Sequence, residues 1–314
     1  MPAVSAVKKP RVTLDMQSGR LGGPITYFLY GVEGIGKSTF AADSPAPVFI
    51  DVERGTRELN VARLTEPDGG WTWTDVLDAI RLLETEEHDR KTLAIDTVDE
   101  LEALLWAFIC DRDKKSGIED YGFGKGYQAA LDEWRVFVAA LERLRSRRGM
   151  NVALLAHTVV RTFKNPEGED YDRYQPRIHD KAAGLLKGKS DVVLFANWET
   201  YAHKKDANSK VERAKGISTG NRVIYTRRTA AYDAKNRHEL PEQMPLDARP
   251  FFEAIKRFQT MSASDLKAAI TTAIPKAPES IRAEAIAALG RADTEQKLAQ
   301  LLGWIRENTP AVAG

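Results

Sequence analysis

Cysteine is nearly absent: the 314 residues include a single one, Cys110, in the apolar helical run Leu101 to Cys110. That excludes an intramolecular disulfide framework and any Cys-based zinc site. Long hydrophobic runs are missing as well. No apolar stretch approaches the roughly 20 residues that a membrane-crossing helix needs, and Met1 to Leu21 lacks the apolar core of a secretory signal. The expectation is a cytoplasmic protein with no membrane partner. Nor is there an excess of one charge. Lys and Arg number 46 against 45 Asp and Glu, a formal net charge of +1, so any nucleic-acid surface has to be a local patch. Internal repeats and low-complexity tracts are not evident.

What is there has the organisation of an α/β protein. A chain of 314 residues can hold one large domain of roughly 200 to 250 residues and a small appendage. Residues 1–20 carry Pro2, Lys8, Lys9, Pro10 and Arg11 with little periodicity and read as a flexible lead-in. From Ile25 onward, short apolar runs alternate with helix-like stretches, as in a mainly parallel sheet covered on both faces. Strands are predicted at Ile25 to Tyr30, Val48 to Val52, Leu93 to Asp96, Asn151 to Ala156 and Val192 to Ala196. One helix is expected around Val76, Ile80 and Leu83, another around Leu131, Trp134, Val138 and Leu141, ended by Gly149. Beyond Trp198 a polar, basic loop, His203 to Gly220, leads into Arg222 to Thr226 and Ala231 to Ala234, an expected antiparallel pair at the sheet edge. The core is thus assigned to residues 21–258. Residues 259–314 are predicted to be helical: Ser264 caps a helix through Ile274, Pro275 and Pro278 break it, Ile281 to Leu289 resumes, Gly290 stops it, and Thr294 caps the last.

The chemistry is concentrated in Gly31-Val32-Glu33-Gly34-Ile35-Gly36-Lys37-Ser38-Thr39. A phosphate cradle needs consecutive inward N–H groups, glycines that permit the bend, a helix N-terminus, a cation and a hydroxyl for magnesium. This segment has them all. Lys37 is placed to reach the terminal phosphates, Ser38 to ligate Mg2+, and Ile25 to Tyr30 is the strand that precedes such a loop. A carboxylate on a neighbouring strand must hold the hydrated metal, and Thr92-Leu93-Ala94-Ile95-Asp96 offers Asp96 as that candidate, with a cap on the next helix as its other reading, compatible with the first. Hydrolysis also needs a group that orients water. Glu53 is the candidate, with Asp51 supporting it from the same face of the strand and Glu100 in reserve. His157, at the end of Asn151 to Ala156, is a candidate γ-phosphate sensor or a locally bonded histidine.

Between Val160 and Gly188, basic residues alternate with aromatics: Arg161, Phe163, Lys164, Tyr171, Arg173, Tyr174, Arg177 and Lys181. Aromatics stack on unpaired bases and cations neutralise phosphates, so the mixture suits a single strand. Glu167, Glu169, Asp170, Asp172 and Asp180 lie in the same stretch and would offset the field. A lid over the nucleotide is the other reading.

With these residues assembled, Gly23 to Pro241 resembles the RecA-like ATPases, and most closely the phage-encoded RecA-like proteins associated with single-strand annealing and recombination. The resemblance rests on the ordered set of phosphate loop, Phe49-Ile50-Asp51-Val52-Glu53, the Asp96 strand, Leu154-Leu155-Ala156-His157 and Lys235-Asn236-Arg237. It implies a RecA-like core with Glu53 as catalytic glutamate, His157 as γ-phosphate sensor and Val160 to Gly188 as a DNA-binding loop contacting single-stranded DNA through Arg161, Phe163, Lys164, Arg173, Tyr174 and Arg177. It further implies ATP bound between protomers of a ring or filament in a bacterial host's cytoplasm, with Lys235 and Arg237 reaching a neighbour's phosphates. Here His238-Glu239 stands where many relatives carry a Phe/Tyr-Gly pair. The expected function is Mg-dependent ATP hydrolysis serving strand annealing or exchange, with a single-strand-binding protein as a further candidate partner. The alternatives are a nucleotide-gated motor or loader acting on proteins, and a small-molecule kinase.

Overall fold

The computed structural model describes residues 22–203, 215–260 and 263–309. The expected N-terminal lead-in lies outside the described residues, as does the middle of the expected basic loop. The chain divides into two compact units, Gly23–Gln259 and a second that contains the C-terminal helices from Thr260.

In chain order, the larger unit contains β1 (Thr26–Gly31), α1 (Lys37–Ala42), β2 (Pro47–Asp51), β3 (Ala62–Arg63), α2 (Trp73–Thr85), β4 (Thr92–Asp96), α3 (Val98–Arg112) and α4 (Lys125–Arg148). It continues with β5 (Asn151–Phe163), β6 (Tyr171–Pro176), α5 (Asp180–Lys189), β7 (Val192–His203), β8 (Lys215–Tyr225), β9 (Lys235–Asn236), β10 (Gln243–Pro245) and α6 (Ala248–Thr260). The sheet order is β10-β8-β7-β1-β5-β4-β2-β3, with β6 paired to β5 and β9 to β7. The centre, from β7 through β3, is parallel. This is the mixed, mostly parallel α/β architecture of a P-loop NTPase core.

Alternation along the strands builds a core on each face. On β1, Phe28 and Tyr30 join β5's Val152, Leu154 and Ala156 against α2 to α5, while Tyr27 and Leu29 join Ala153 and Leu155 against α1 and α6. Fully burying a side chain of this size contributes roughly 1.5–3 kcal/mol, so this double layer dominates the stability of the unit. Local signals set the helix ends. Thr72 and Asp75 form a reciprocal capping box at the start of α2. Gly149, at φ 64, ends α4 in the left-handed conformation, its N–H bonded to the Arg145 carbonyl.

Three expectations are corrected. First, β5 does not stop at Ala156 but runs on to Phe163 and folds back as an antiparallel hairpin with β6, so Val160 to Gly188 is a hairpin and a helix, not a loop. The β-branched Thr158, Val159, Val160 and Thr162, with Phe163, let the strand extend past the sheet. Second, Arg222 to Tyr225 pairs with β7 and β10, not with Ala231 to Ala234. That segment is instead pinned by Tyr30, whose hydroxyl donates to the Asp233 carbonyl at 2.7 Å and accepts from the Asp233 N–H at 2.8 Å. Third, Gly290 lies inside a helix. The smaller unit comprises α7 (Ala263–Ala273), a 3-10 turn, α8 (Glu279–Arg291) and α9 (Glu295–Glu307), packed through Leu266, Ile270, Leu298, Leu302 and Ile305. Among the described residues, no helix is long and apolar enough to cross a membrane.

Candidate functional site

Parallel strands bring their C-terminal ends to one edge, and the residues singled out for nucleotide chemistry collect there. Gly31 lies opposite His157 across the β1–β5 pair, Asp51 opposite Asp96 across β2–β4, and Asp96 opposite Leu155 across β4–β5. Gly31 admits no side chain: a Cβ there would sit 2.3 Å from the Ala196 carbonyl oxygen of β7. Gly36, at φ 108, turns the loop into α1 through a conformation that glycine tolerates and other residues resist. Between them Ile35 is buried and anchors the loop, Glu33 and Gly34 face solvent and Val32 is half-buried, while Thr39 is exposed in α1.

Lys37 is buried at the first turn of α1, and its Nζ donates to the carbonyls of Gly31 at 3.4 Å and Val32 at 3.2 Å. Burial lowers its pKa, opposed by the carboxylates of Asp96, Glu53, Asp99 and Glu33. Asp96 is 1 % exposed, and burial lifts its carboxyl to about 6, against a hydrogen bond from Ser38 and with a further push from Glu53 and Asp51. Its Oδ2 is buried without a hydrogen-bond partner among the described residues. A buried carboxylate oxygen with no donor, beside a serine hydroxyl, is a donor set that fits a hard divalent cation such as Mg2+. The alternative helix-cap role does not fall to Asp96: Thr97 caps α3, its hydroxyl accepting from the Glu100 N–H.

Glu53 lies just beyond β2, tied to β4 by a bond from its N–H to the Asp96 carbonyl at 3.0 Å. Its Oε1 is 3.6 Å from His157 Nε2. Asp51 is not beside it in the role expected. β2 ends at Asp51, so strand alternation no longer applies, and the Asp51 carboxylate turns into the following loop to accept from Gly55 N–H at 3.0 Å and Thr56 N–H at 3.1 Å.

The residue that the sequence reading missed is Asp99, in the first turn of α3. Its Oδ1 accepts the His157 N–H and its Oδ2 the ring Nδ1, both at 2.9 Å. Burial pushes its carboxyl up, but the bonds from His157 and from Arg177 outweigh this and hold it down at about 2. Because an ionised carboxylate only accepts, Nδ1 carries the proton and Nε2 faces Glu53. An acid three residues after Asp96, at a helix start, was the available signal, but first-turn acids are common for dipole reasons alone. Arg222 was missed as well: from β8 its Nη1 donates to the Ile35 carbonyl at 3.4 Å.

The expected nucleic-acid residues divide. Arg173 is 4 % exposed and paired with Asp233, its guanidinium 5.4 Å from the Phe163 ring, so it is part of the fold and not of a surface. Tyr174 is half-buried with its ring 5.0 Å from that of Phe195. Arg177 turns toward the phosphate loop. Arg161, Phe163 and Lys164 remain on the hairpin arm, with Arg161 paired to Asp180 at 2.7 Å and Lys164 to Asp170. Of the residues expected to reach a neighbour, Lys235 is spent within its own chain, donating to the carbonyls of Lys187, Gly188 and Ser190 at the end of α5. Arg237 is exposed, 3.9 Å from Asp191.

No curated protein matches the sequence. The family model described as an AAA domain matches residues 23–238, a span that begins before β1 and includes the phosphate loop, Glu53, Asp96, Asp99, His157 and Arg177. With more than half of its length matched and with this edge of the sheet built around a phosphate loop, the chain belongs to the AAA-domain family of P-loop ATPases.

Proposed function

We propose that the protein is a Mg-dependent ATPase that couples turnover to single-stranded DNA during strand annealing or exchange, in the manner of the phage RecA-like proteins. The observation that carries this reading is β5: one unbroken strand runs from the nucleotide edge, at His157, into the projecting hairpin that bears Arg161, Phe163 and Lys164.

Lys37 and the loop N–H groups of residues 31–38 hold the phosphates, and Ser38 and Asp96 would hold the metal, with Asp96 acting through the metal's water shell. Bound there, Mg2+ neutralises charge on the transferring phosphoryl group. Glu53 orients the attacking water, and its neighbour His157 senses the terminal phosphate and passes its presence along β5. Arg161, Phe163 and Lys164, nearest the hairpin turn, supply cations and an aromatic to a single strand. Arg237 is the exposed cation available to a neighbouring protomer's nucleotide.

The deciding experiment is the ATPase rate with and without single-stranded DNA, run beside a sizing measurement. Stimulation by DNA with an oligomer supports the reading. Stimulation by a protein partner and none by DNA favours the loader alternative, and phosphate transfer to a nucleoside favours a kinase.

A further inference from the structure

Arg177 is the cation on which the phosphate loop, the histidine and the hairpin converge. Its Nε and Nη2 donate to Asp99 Oδ2 at 3.2 and 2.8 Å, its Nη1 to Glu33 Oε1 at 3.2 Å, and its Nη2 lies 3.1 Å from His157 Nδ1. Its backbone N–H donates to the His157 carbonyl at 2.9 Å, directly after β6. Glu100 stands 3.9 Å away. One guanidinium therefore faces three carboxylates, of which only that of Asp99 is buried.

We propose that Arg177 reads whether the bound nucleotide is a triphosphate or a diphosphate, exchanging its contact with Glu33 for one with the terminal phosphate while keeping its hold on Asp99. This deepens the ATPase reading above and rests on it. The asymmetry of the two partners decides which contact yields. Glu33 is 75 % exposed, and exposed pairs contribute little. The Asp99 side chain is 3 % exposed, and separating that pair would strand a buried charge. Glu33 belongs to the phosphate loop itself, so an incoming triphosphate brings its charge to the place where Glu33 competes for the same donors. A diphosphate lacks the group that would win that exchange. Because Arg177 is bonded to β5 through its backbone and joined to β6 through Pro176, a shift of its side chain is transmitted to the hairpin.

The test compares equilibrium binding of a non-hydrolysable ATP analogue and of ADP, with hydrogen exchange of hairpin residues 158–176 as a second readout. Arg177→Ala should weaken the analogue about tenfold to a hundredfold, the range for a charge-assisted bond, and leave ADP within about twofold. The analogue should slow hairpin exchange in the parent and not in this variant, and Arg177→Lys should restore part of the discrimination. Glu33→Gln, which removes the competitor, should raise the preference for the triphosphate, and it stands as the test if Arg177→Ala does not fold. An unchanged analogue-to-ADP ratio in Arg177→Ala, or an unchanged or lowered one in Glu33→Gln, overturns the proposal. If the parent binds both nucleotides and only these ratios fail to move, the ATPase reading stands without it. A parent that binds neither overturns both.

Discussion

Asp99 holds His157 twice, taking the backbone N–H with one carboxylate oxygen and the ring Nδ1 with the other, each at 2.9 Å. The imidazole at the end of the nucleotide edge is thereby fixed in tautomer and orientation, with Nε2 toward Glu53.

Asp99→Asn should cost stability in a pH-dependent way. The carboxyl is held at about 2, below its ordinary 3.8, so its contribution is fully present above about pH 4 and is lost as pH falls toward 2. The loss at neutral pH should be on the order of 2 kcal/mol. Denaturant melts of parent and variant at several pH values check this, and a gap that did not narrow in acid would contradict it.

Glu102 should behave in the opposite sense. It is 5 % exposed on α3, its Oε2 accepting the His179 N–H at 2.8 Å, and burial lifts its carboxyl from 4.5 to about 7. A raised carboxyl binds its proton more tightly in the folded state, so stability falls as pH rises from 4.5 through 7. Glu102→Gln should therefore melt higher than the parent at pH 8 and lose that advantage near pH 5. Thermal melts at the two pH values decide it.

Lys37→Ala should abolish ATP turnover, with a loss of at least about a hundredfold, because it removes the buried cation of the phosphate loop. Turnover at the parent rate would contradict the assignment of the site.

Glu53→Gln should keep nucleotide binding and lower the hydrolysis rate about 10² to 10⁴-fold, the range for a positioned acid–base group. Binding titrations beside single-turnover hydrolysis separate the two effects.

Arg173→Ala and Lys164→Ala should part company. Removing Arg173 takes from Asp233 its most buried partner but leaves it Lys187, so the loss should be on the order of 1–3 kcal/mol. Lys164 is 86 % exposed, so its removal should shift stability by no more than about 0.5 kcal/mol while weakening single-strand binding. Paired melts and DNA titrations of the two variants test this.

The sequence by itself determined the α/β class, the positions of the central strands, the phosphate loop and the approach strand of Asp96. These features are written in contiguous residues: apolar runs of strand length, glycines at a turn, a Lys-Ser pair at a helix start. Only the tertiary structure decided which charges meet. Arg173 and Arg177 are four residues apart in one basic-aromatic stretch, yet one is buried against Asp233 and the other sits beside Glu33 and Asp99. Lys235 reads as a cation free for a neighbour and is consumed by the end of α5. Glu53 and His157 become neighbours only because β4 lies between β2 and β5 in the sheet and parallel strands end on the same edge. An ion pair depends on distance in space between side chains that strand order brings together, and strand order is set by how both faces of the sheet are covered, which no local pattern of residues encodes.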